Sequence, residues 1–593
     1  MVSRLKNIRN LLLEYNSLNE YKLIMNFLEC PDDNIFESII NGLPLNLKEI
    51  TFIALNEVIN MYETELPKYR TEIMYGQRLI WSQVLKCYEV LNSVKERMKK
   101  YNLSIYNDDY LAATDELKKV FACYAEAQVE MSRFEDILGV DRYLDKLCAS
   151  DIIPLEKILC EIKAIFEIKL KQYKEIFVSK WSTTNIAPLI THELVRYDGS
   201  NQICTLFECN KKKTVLFIID GFGYSQYQWH KNMNSGIGNY TYNENIFDWL
   251  EKSGCLKEYI LGSAYISDTG AGLAQIFTGK SAIETGIISS KVGSKNSGSF
   301  IDTKKIDINE FKSVFHANNS SITELVAIFE KKSKVFYGSR YGNNSYGFSD
   351  LIFKGAEVIE IIPPERMFEF LKEELKNGEE GLDVVYLTGI DNSGHTMGAY
   401  SKFEKFEHEK FNMLFRNFLI ELALYNQEYF DGKTTFIITA DHGMAESSKF
   451  MISRKNIKDR FYNESIRGAT FIENNRAMLV YGLNSTDYYK AVNTLIEFFD
   501  ELNIDIDMLI KGTEEYKNWY CTDINNHISN IAPDIVIRLI SNGLFYSKET
   551  SHHLLHYAGH GGASAGELFV PLLQVTLDEK LLKSIHNRFI NII

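Results

Sequence analysis

The chain has 593 residues, of which 45% are apolar and 24% charged, with a net charge of −14. That length is too great for one hydrophobic core and predicts several domains. The composition is that of an ordinary soluble globular protein, and the acidic balance excludes a broad electrostatic footprint for duplex nucleic acid, leaving room only for a local basic groove.

The N-terminus, Met1 to Lys6, soon meets Arg9, Glu14 and Glu20, with no uninterrupted apolar segment of signal-peptide type. Roughly the first 180 residues read as helices. Ile8, Leu11, Leu12 and Tyr15 recur at helical steps, as do Ile80, Val84, Leu91 and Val94, and then Leu155, Ile158, Leu159, Ile162, Ile165, Phe166, Tyr173, Ile176 and Phe177. Pro31, Pro44, Pro67 and Pro154 mark turns or first helical turns. This predicts an all-α domain over 1–195 that packs or docks a partner. The boundary runs through the polar stretch Tyr197 to Asn201.

Beyond it the pattern changes. Thr214–Ile219 ends in Asp220-Gly221, Asp383–Leu387 ends near Gly389 and Asp391, and Thr434–Thr439 ends at Asp441-His442-Gly443. Short apolar runs followed by helical stretches predict buried strands of a largely parallel sheet. Asp534–Ile537 and Leu568–Val570 are two further strand candidates. The second domain is placed at 210–593, with caps near 292–350 and 445–530. No apolar run reaches the roughly 18 residues of a bilayer span. The nine cysteines are scattered, with Cys204 and Cys209 the nearest pair and no CxxC. Reduced thiols and a cytoplasmic location are the expectation.

Three strand ends deliver an acidic residue, Asp220, Asp391 and Asp441, and the carboxyl ends of parallel strands are where such sheets build their sites. His395 follows Asp391 by four residues and His442 follows Asp441 directly. Mixed Asp and His suit zinc or manganese, whereas oxygens alone would suit magnesium. Each motif alone also reads as a helix cap or a turn. Ser267-Asp268-Thr269-Gly270-Ala271-Gly272 suits a helix start that approaches an anion closely. Thr269 reads there either as an N-cap or as a metal-activated nucleophile. Near the C-terminus, His560 lies in Gly559-His560-Gly561-Gly562-Ala563-Ser564-Ala565-Gly566-Glu567, while His552, His553 and His556 read as loop or packing residues.

In this order, Asp220, Thr269, Asp391–Gly398 (DxxGHxxG), Asp441–Gly443 (DHG) and His560 resemble the alkaline phosphatase superfamily. The ending HGGASAGELFVPL resembles the HGG-S-x-x-E-x-x-VP element of PglZ domains, near the nucleotide pyrophosphatase/phosphodiesterases. The resemblance covers roughly residues 210–578 and implies an α/β fold with a largely parallel sheet sandwiched by helices. It implies two divalent cations, zinc first and manganese or magnesium as alternatives. One would be held by Asp391, His395 and His560, the other by Asp220, Asp441 and His442 with Thr269 as ligand and nucleophile. It further implies in-line attack on phosphorus through a phospho-threonine intermediate, a nucleotide or single-stranded nucleic acid substrate, and a prokaryotic defence or regulatory setting. The phosphodiesterases commonly place Asn after Gly286-Ile287-Ile288, where this chain has Ser290, so Ser290 and Lys291 become the expected substrate-binding residues. No Arg adjoins Thr269, which disfavours a monoester dianion. The competing readings are a phosphomutase or phosphotransferase on a small metabolite, and a scaffold without turnover. Trp519 and Tyr520 in the second cap read either as buried packing residues or as base-stacking residues.

Overall fold

A computed structural model describes residues 72–104, 109–140, 149–195, 203, 211–233, 245–293, 300–302, 320–338, 352–360, 363–447, 451–516, 531–547 and 556–590. The helix expected around Ile8–Tyr15, the boundary stretch 197–201, and Trp519, Tyr520, His552 and His553 lie outside them. The chain divides into two compact units. One comprises Met1–Tyr101 with Glu126–Ile165, the other Asn102–Ala125 with Phe166–Ile593.

Three long helices open the described chain: α1 (Glu72–Lys100), α2 (Tyr110–Val140) and α3 (Ala149–Ser179). In the first unit the three- and four-residue spacing buries Val84, Leu91, Val94 and Met98 of α1 completely, with Leu155 and Ile162 of α3.

The second unit is built on a seven-stranded sheet. Its strands are β1 (Lys213–Ile219), β2 (Lys257–Gly262), β3 (Lys332–Tyr337), β4 (Glu357–Glu360), β5 (Gly381–Leu387), β6 (Thr434–Thr439) and a late strand, Phe569–Leu577. The order across the sheet is β2, late strand, β6, β1, β5, β3, β4. Every pairing is parallel except the two made by Phe569–Leu577, which runs antiparallel between β2 and β6. β1, β5 and β6 are buried at every position, as expected where helices cover both faces. Phe217 of β1 lies within 5.7–6.2 Å, ring to ring, of Phe368, Phe411, Phe415 and Phe436. On β2 and the late strand the same unit's helical residues pack: Phe121 of α2 meets Phe569 at 5.4 Å, and the Tyr110 hydroxyl donates to Ile260 O at 2.8 Å. The largely parallel sheet flanked by helices, with a helical region ahead of it, is thus the observed architecture.

One strand candidate belongs elsewhere. β7 (Thr470–Asn474), β8 (Ala477–Tyr481), β9 (Ile506–Ile510) and β10 (Ile535–Leu539) form a separate antiparallel sheet in the order β7, β8, β10, β9. Its own core gathers Phe461, Phe471, Met478, Val480, Leu495, Phe499, Ile535, Ile537 and Phe545. A short apolar run such as Ile535–Ile537 signals a buried strand but not which sheet supplies the neighbours. β3, inside the stretch 292–350, is a strand of the main sheet.

Arg476, between β7 and β8, is fully buried against Glu567, whose side chain is equally buried, with Nε donating to Oε1 at 2.9 Å. The guanidinium also donates to Gly543 O (2.8 Å) and Leu539 O (3.2 Å), so its donors are well satisfied. Removing one member strands the other charge, whereas a shape-matched apolar pair does not. Glu567→Ala is therefore expected to cost about 3–5 kcal/mol of stability, and Arg476→Met with Glu567→Leu distinctly less. Chemical denaturation checks this: a double variant as unstable as Glu567→Ala would contradict it.

Candidate metal and phosphoester site

The site lies at the carboxyl ends of the central strands. β1 runs straight into Asp220, which is 2% exposed. After β5 comes α4 (Gly389–Met397), which carries Asp391 and, one helical turn on, His395. β6 ends just before Asp441 and His442, both fully buried. Helix α5 (Thr269–Thr278) brings Thr269 in its first position. Its N-cap is Asp268, not Thr269, and Asp268 accepts from Ala271 N at 3.1 Å.

Close backbone approach makes this possible. A Cβ at Gly272 would stand 2.6 Å from Asp441 O, so α5 can lie on the β6 end only with glycine there. A Cβ at Gly443 would stand 2.0 Å from Gly566 O, and Gly443 N donates to Glu567 O at 3.0 Å, locking the DHG turn to the late glycine-rich loop.

The side chains converge. His442 Nε2 is 3.4 Å from Asp220 Oδ1, 3.6 Å from Asp441 Oδ2 and 3.2 Å from Thr269 Oγ1. Asp391 Oδ1 is 3.4 Å from His395 Nε2 and 3.7 Å from His560 Nε2. The His442 and His560 rings stack at 3.9 Å. Two groups have metal-ligand spacing, Asp220/Asp441/His442 and Asp391/His442/His560. The structure therefore brings together all seven expected residues, with His442 shared between the groups and His395 beside the second. His556 joins the edge, its ring 4.6 Å from that of His395.

The donor set fits cations. In all three histidines Nδ1 faces a backbone carbonyl: Gly443 O (3.1 Å), Ala558 O (3.0 Å) and Ser267 O (3.1 Å) for His442, His395 and His560. A carbonyl only accepts, so the neutral rings carry their proton on Nδ1 and turn the Nε2 lone pair inward. Facing those lone pairs are Asp220 Oδ1, Asp391 Oδ1 and Asp441 Oδ2, buried oxygens that no hydrogen bond from the described residues satisfies. Lone pairs converging on carboxylate oxygens call for positive charge between them.

Electrostatics agree. Burial foremost, then the charges of Asp441 and Asp391, push the Asp220 carboxyl well above the carboxylate range, although the Tyr386 hydroxyl donates to it. Burial, then Asp391, push Asp441 up to about 7.

The start of α5 is organised by a residue the motif reading passed over. Besides capping α5, Asp268 accepts through Oδ2 from Ser289 Oγ (2.8 Å), Ser290 N (2.7 Å) and the Asn474 amide of β7. The strong N-cap preference of Asp directly before a helical run is the sequence signal for it. Ser290 lies against the helix start, since a Cβ at Gly270 would be 3.1 Å from its Oγ. Lys291 follows, half-buried, at the start of a short strand, Lys291–Gly293. Asn474 and Arg476 come from a distant segment and carry no local motif.

A carboxyl raised from 3.8 to about 7 binds more protons folded than unfolded across that window, so the cation-free protein loses stability as pH rises through it. A cation displaces those protons. Its affinity should rise about tenfold per pH unit for each proton displaced up to about pH 7. The thermal stabilisation by zinc or manganese should thus be larger at pH 8 than at pH 5, and a shift independent of pH would contradict this.

A model of the type I phosphodiesterase / nucleotide pyrophosphatase family matches residues 214–562. No curated protein matches the chain. Solved structures similar to it include murine ectonucleotide pyrophosphatase / phosphodiesterase 5, at 15% identity over 61% of this chain and 87% of that one, with a TM-score of 0.44. The human form of that protein gives the same 15%, 61%, 87% and 0.44. Phosphonoacetate hydrolase from Sinorhizobium meliloti 1021, in complex with phosphonoformate, is 14% identical over 64% of this chain and 97% of that one, with a TM-score of 0.45. The family match spans more than half of the sequence, and the chain belongs to the type I phosphodiesterase / nucleotide pyrophosphatase family, phosphoric ester hydrolases of the alkaline phosphatase superfamily.

Proposed function

We propose that the protein hydrolyses a phosphodiester or pyrophosphate bond of a nucleotide or short single strand, with Thr269 as nucleophile and two divalent cations, zinc in the first instance. The observation that carries this is Thr269 Oγ1, 3.2 Å from His442 Nε2, beside three carboxylate oxygens left without donors. Asp391, His395 and His560 would hold one cation and Asp220, Asp441 and His442 the other, with Thr269 at the second. Cations bound there would lower the hydroxyl's pKa and would balance charge on the phosphoryl oxygens.

The chain's own residues do the rest. In the first turn of α5, Ala271 N is already held by Asp268, so the N–H groups of Thr269 and Gly270 would be the ones offered to an anion. The Ser290 hydroxyl, beside Gly270, would donate to a phosphoryl oxygen. Thr269 Oγ forms a bond to phosphorus as the bond to the leaving oxygen breaks. Water then cleaves the Oγ–phosphorus bond and restores the hydroxyl. Diester preference has support from the arginines: among the described residues the two buried ones are committed, Arg476 to Glu567 and Arg538 to Asp507 at 2.6 Å. A bidentate clamp on a monoester dianion is not on offer from them.

We place the chain in the PglZ-like branch through its HGG-S-x-x-E-x-x-VP element, in a cytoplasmic prokaryotic defence or regulatory system whose protein partner docks on the helical region. If the role is defence, Thr269→Ala should abolish protection against phage in the native host without changing expression. Equal plating efficiency for both forms would remove that part of the reading.

The direct test is turnover of bis-para-nitrophenyl phosphate, then of nucleotides, cyclic dinucleotides and short single strands, with added zinc or manganese. Thr269→Ala should lower turnover roughly a thousandfold or more, and chelation should abolish it. Turnover unaffected by Thr269→Ala would overturn the nucleophile assignment. Phosphoryl transfer without net release would favour a phosphotransferase instead.

A further inference from the structure

The loop that carries His560 is rich in glycine, with Gly561 at φ +102°, so its own backbone does little to hold the imidazole in place. It is fixed from three sides. Toward the site, Ser267 Oγ accepts from Gly561 N (3.1 Å) and donates to Gly562 O (3.2 Å). Toward the small sheet, Glu567 Oε1 accepts from Gly562 N at 2.7 Å, and Ala563 N donates to Leu539 O at 2.9 Å.

The third side comes from α3, which lies outside the segment matched by the family, 214–562. Glu167 accepts from Ala565 N with both carboxylate oxygens at 3.0 Å. Ala565 opens the short helix Ala565–Leu568, so its N–H is one of the donors a helix start leaves unmet. Two turns further along α3, on the same face, Lys174 donates to Ala563 O at 2.8 Å and to Glu167 Oε2 at 2.5 Å. Both side chains are nearly covered, Glu167 at 10% and Lys174 at 12% exposure. The pair thus grips the loop's amide and carbonyl together and neutralises its own charge. An exposed ion pair would have no such reach into a loop.

Building on the metal-site reading above, we infer that Glu167 and Lys174 are positioning residues for the cation site at His560, so that a helix outside the catalytic family segment tunes metal affinity. Groups behind a ligand that fix its orientation commonly change metal affinity 10- to 100-fold when removed.

The test uses the full-length protein and three variants: Glu167→Ala, Glu167→Gln and Lys174→Met. Zinc affinity and stoichiometry are measured by chelator competition and elemental analysis. Hydrogen exchange is followed by mass spectrometry across 559–568, with thermal midpoints alongside. Glu167→Ala should weaken one of two bound ions by about tenfold or more and speed exchange in the loop. Glu167→Gln, which keeps a carbonyl to accept the Ala565 N–H, should stay within about threefold of wild type. Lys174→Met should fall between them, and turnover lost at limiting zinc should return at saturating zinc. If the wild type binds two ions and the variants bind them as tightly with unchanged exchange, whatever their thermal midpoints, the clamp is overturned and the two-metal reading stands. A folded wild type that binds no divalent ion overturns that reading, and this inference with it.

Discussion

The second unit is organised around the mutual repulsion of three carboxylates. Asp220, Asp391 and Asp441 turn oxygens that have no hydrogen-bond donor among the described residues into one small volume, and two of the three are essentially buried. Such crowding is unfavourable by itself, because desolvation and like charge act in the same direction. It persists because the sheet leaves the residues no alternative. β1 pairs in parallel with both β5 and β6, so the ends of all three strands reach the same edge of the sheet and their acidic residues meet there. Compensation must come from charge that enters later, which is the logic of a cation site rather than of a structural core.

Precision then depends on the loops, and here the two sheets are joined. Glu567 is the junction. Its carboxylate holds Arg476 of the small sheet and the amide of Gly562, while its carbonyl accepts from Gly443 of the DHG turn. Arg476 N in turn donates to His560 O at 3.2 Å. One buried ion pair therefore ties the late histidine, the DHG turn and β8 into a single arrangement. A buried pair of this kind adds little net stability over apolar residues, but it specifies geometry, because displacing any member leaves a charge unmet. That is a reason for an Arg and a Glu where Leu and Met would pack.

What the sequence made legible follows the range of the interactions. β6 coincides with the predicted run Thr434–Thr439, and β1 and β5 differ from theirs only at the N-terminal end, because a strand buried on both faces writes a continuous apolar run. The metal-ligating candidates were legible because Asp-His spacings and strand ends are local. Asp268 was half legible: the helix start was foreseen, but its cap was assigned one residue late. Asn474, Arg476, Glu167 and Lys174 were not legible at all. Each acts across a sequence separation of 91 residues or more, on Asp268, Glu567 or the 563–565 loop, and no local pattern encodes such a contact. The run Asp534–Ile537 reads as a strand of the main sheet and belongs instead to β10 of the small one, for the same reason.

The exchange of the expected asparagine for Ser290 takes on a different meaning in this light. An amide at that position would reach the phosphoryl group on its own side chain. Ser290 is shorter, yet its main-chain N–H is pinned to Asp268, which also caps the helix of Thr269 and binds Asn474. Thr269, Ser290 and the distant Asn474 amide therefore share one buried carboxylate as their reference point. On the proposed reading, reach would be replaced by registration: the Ser290 hydroxyl need not extend far, because Asp268 fixes the main chain of Ser290 and the start of the Thr269 helix alike. Donors held rigidly where charge develops contribute more to catalysis than longer ones that must reorganise, and under the proposed mechanism a Ser290 whose main chain is fixed by the cap of the Thr269 helix would meet that condition.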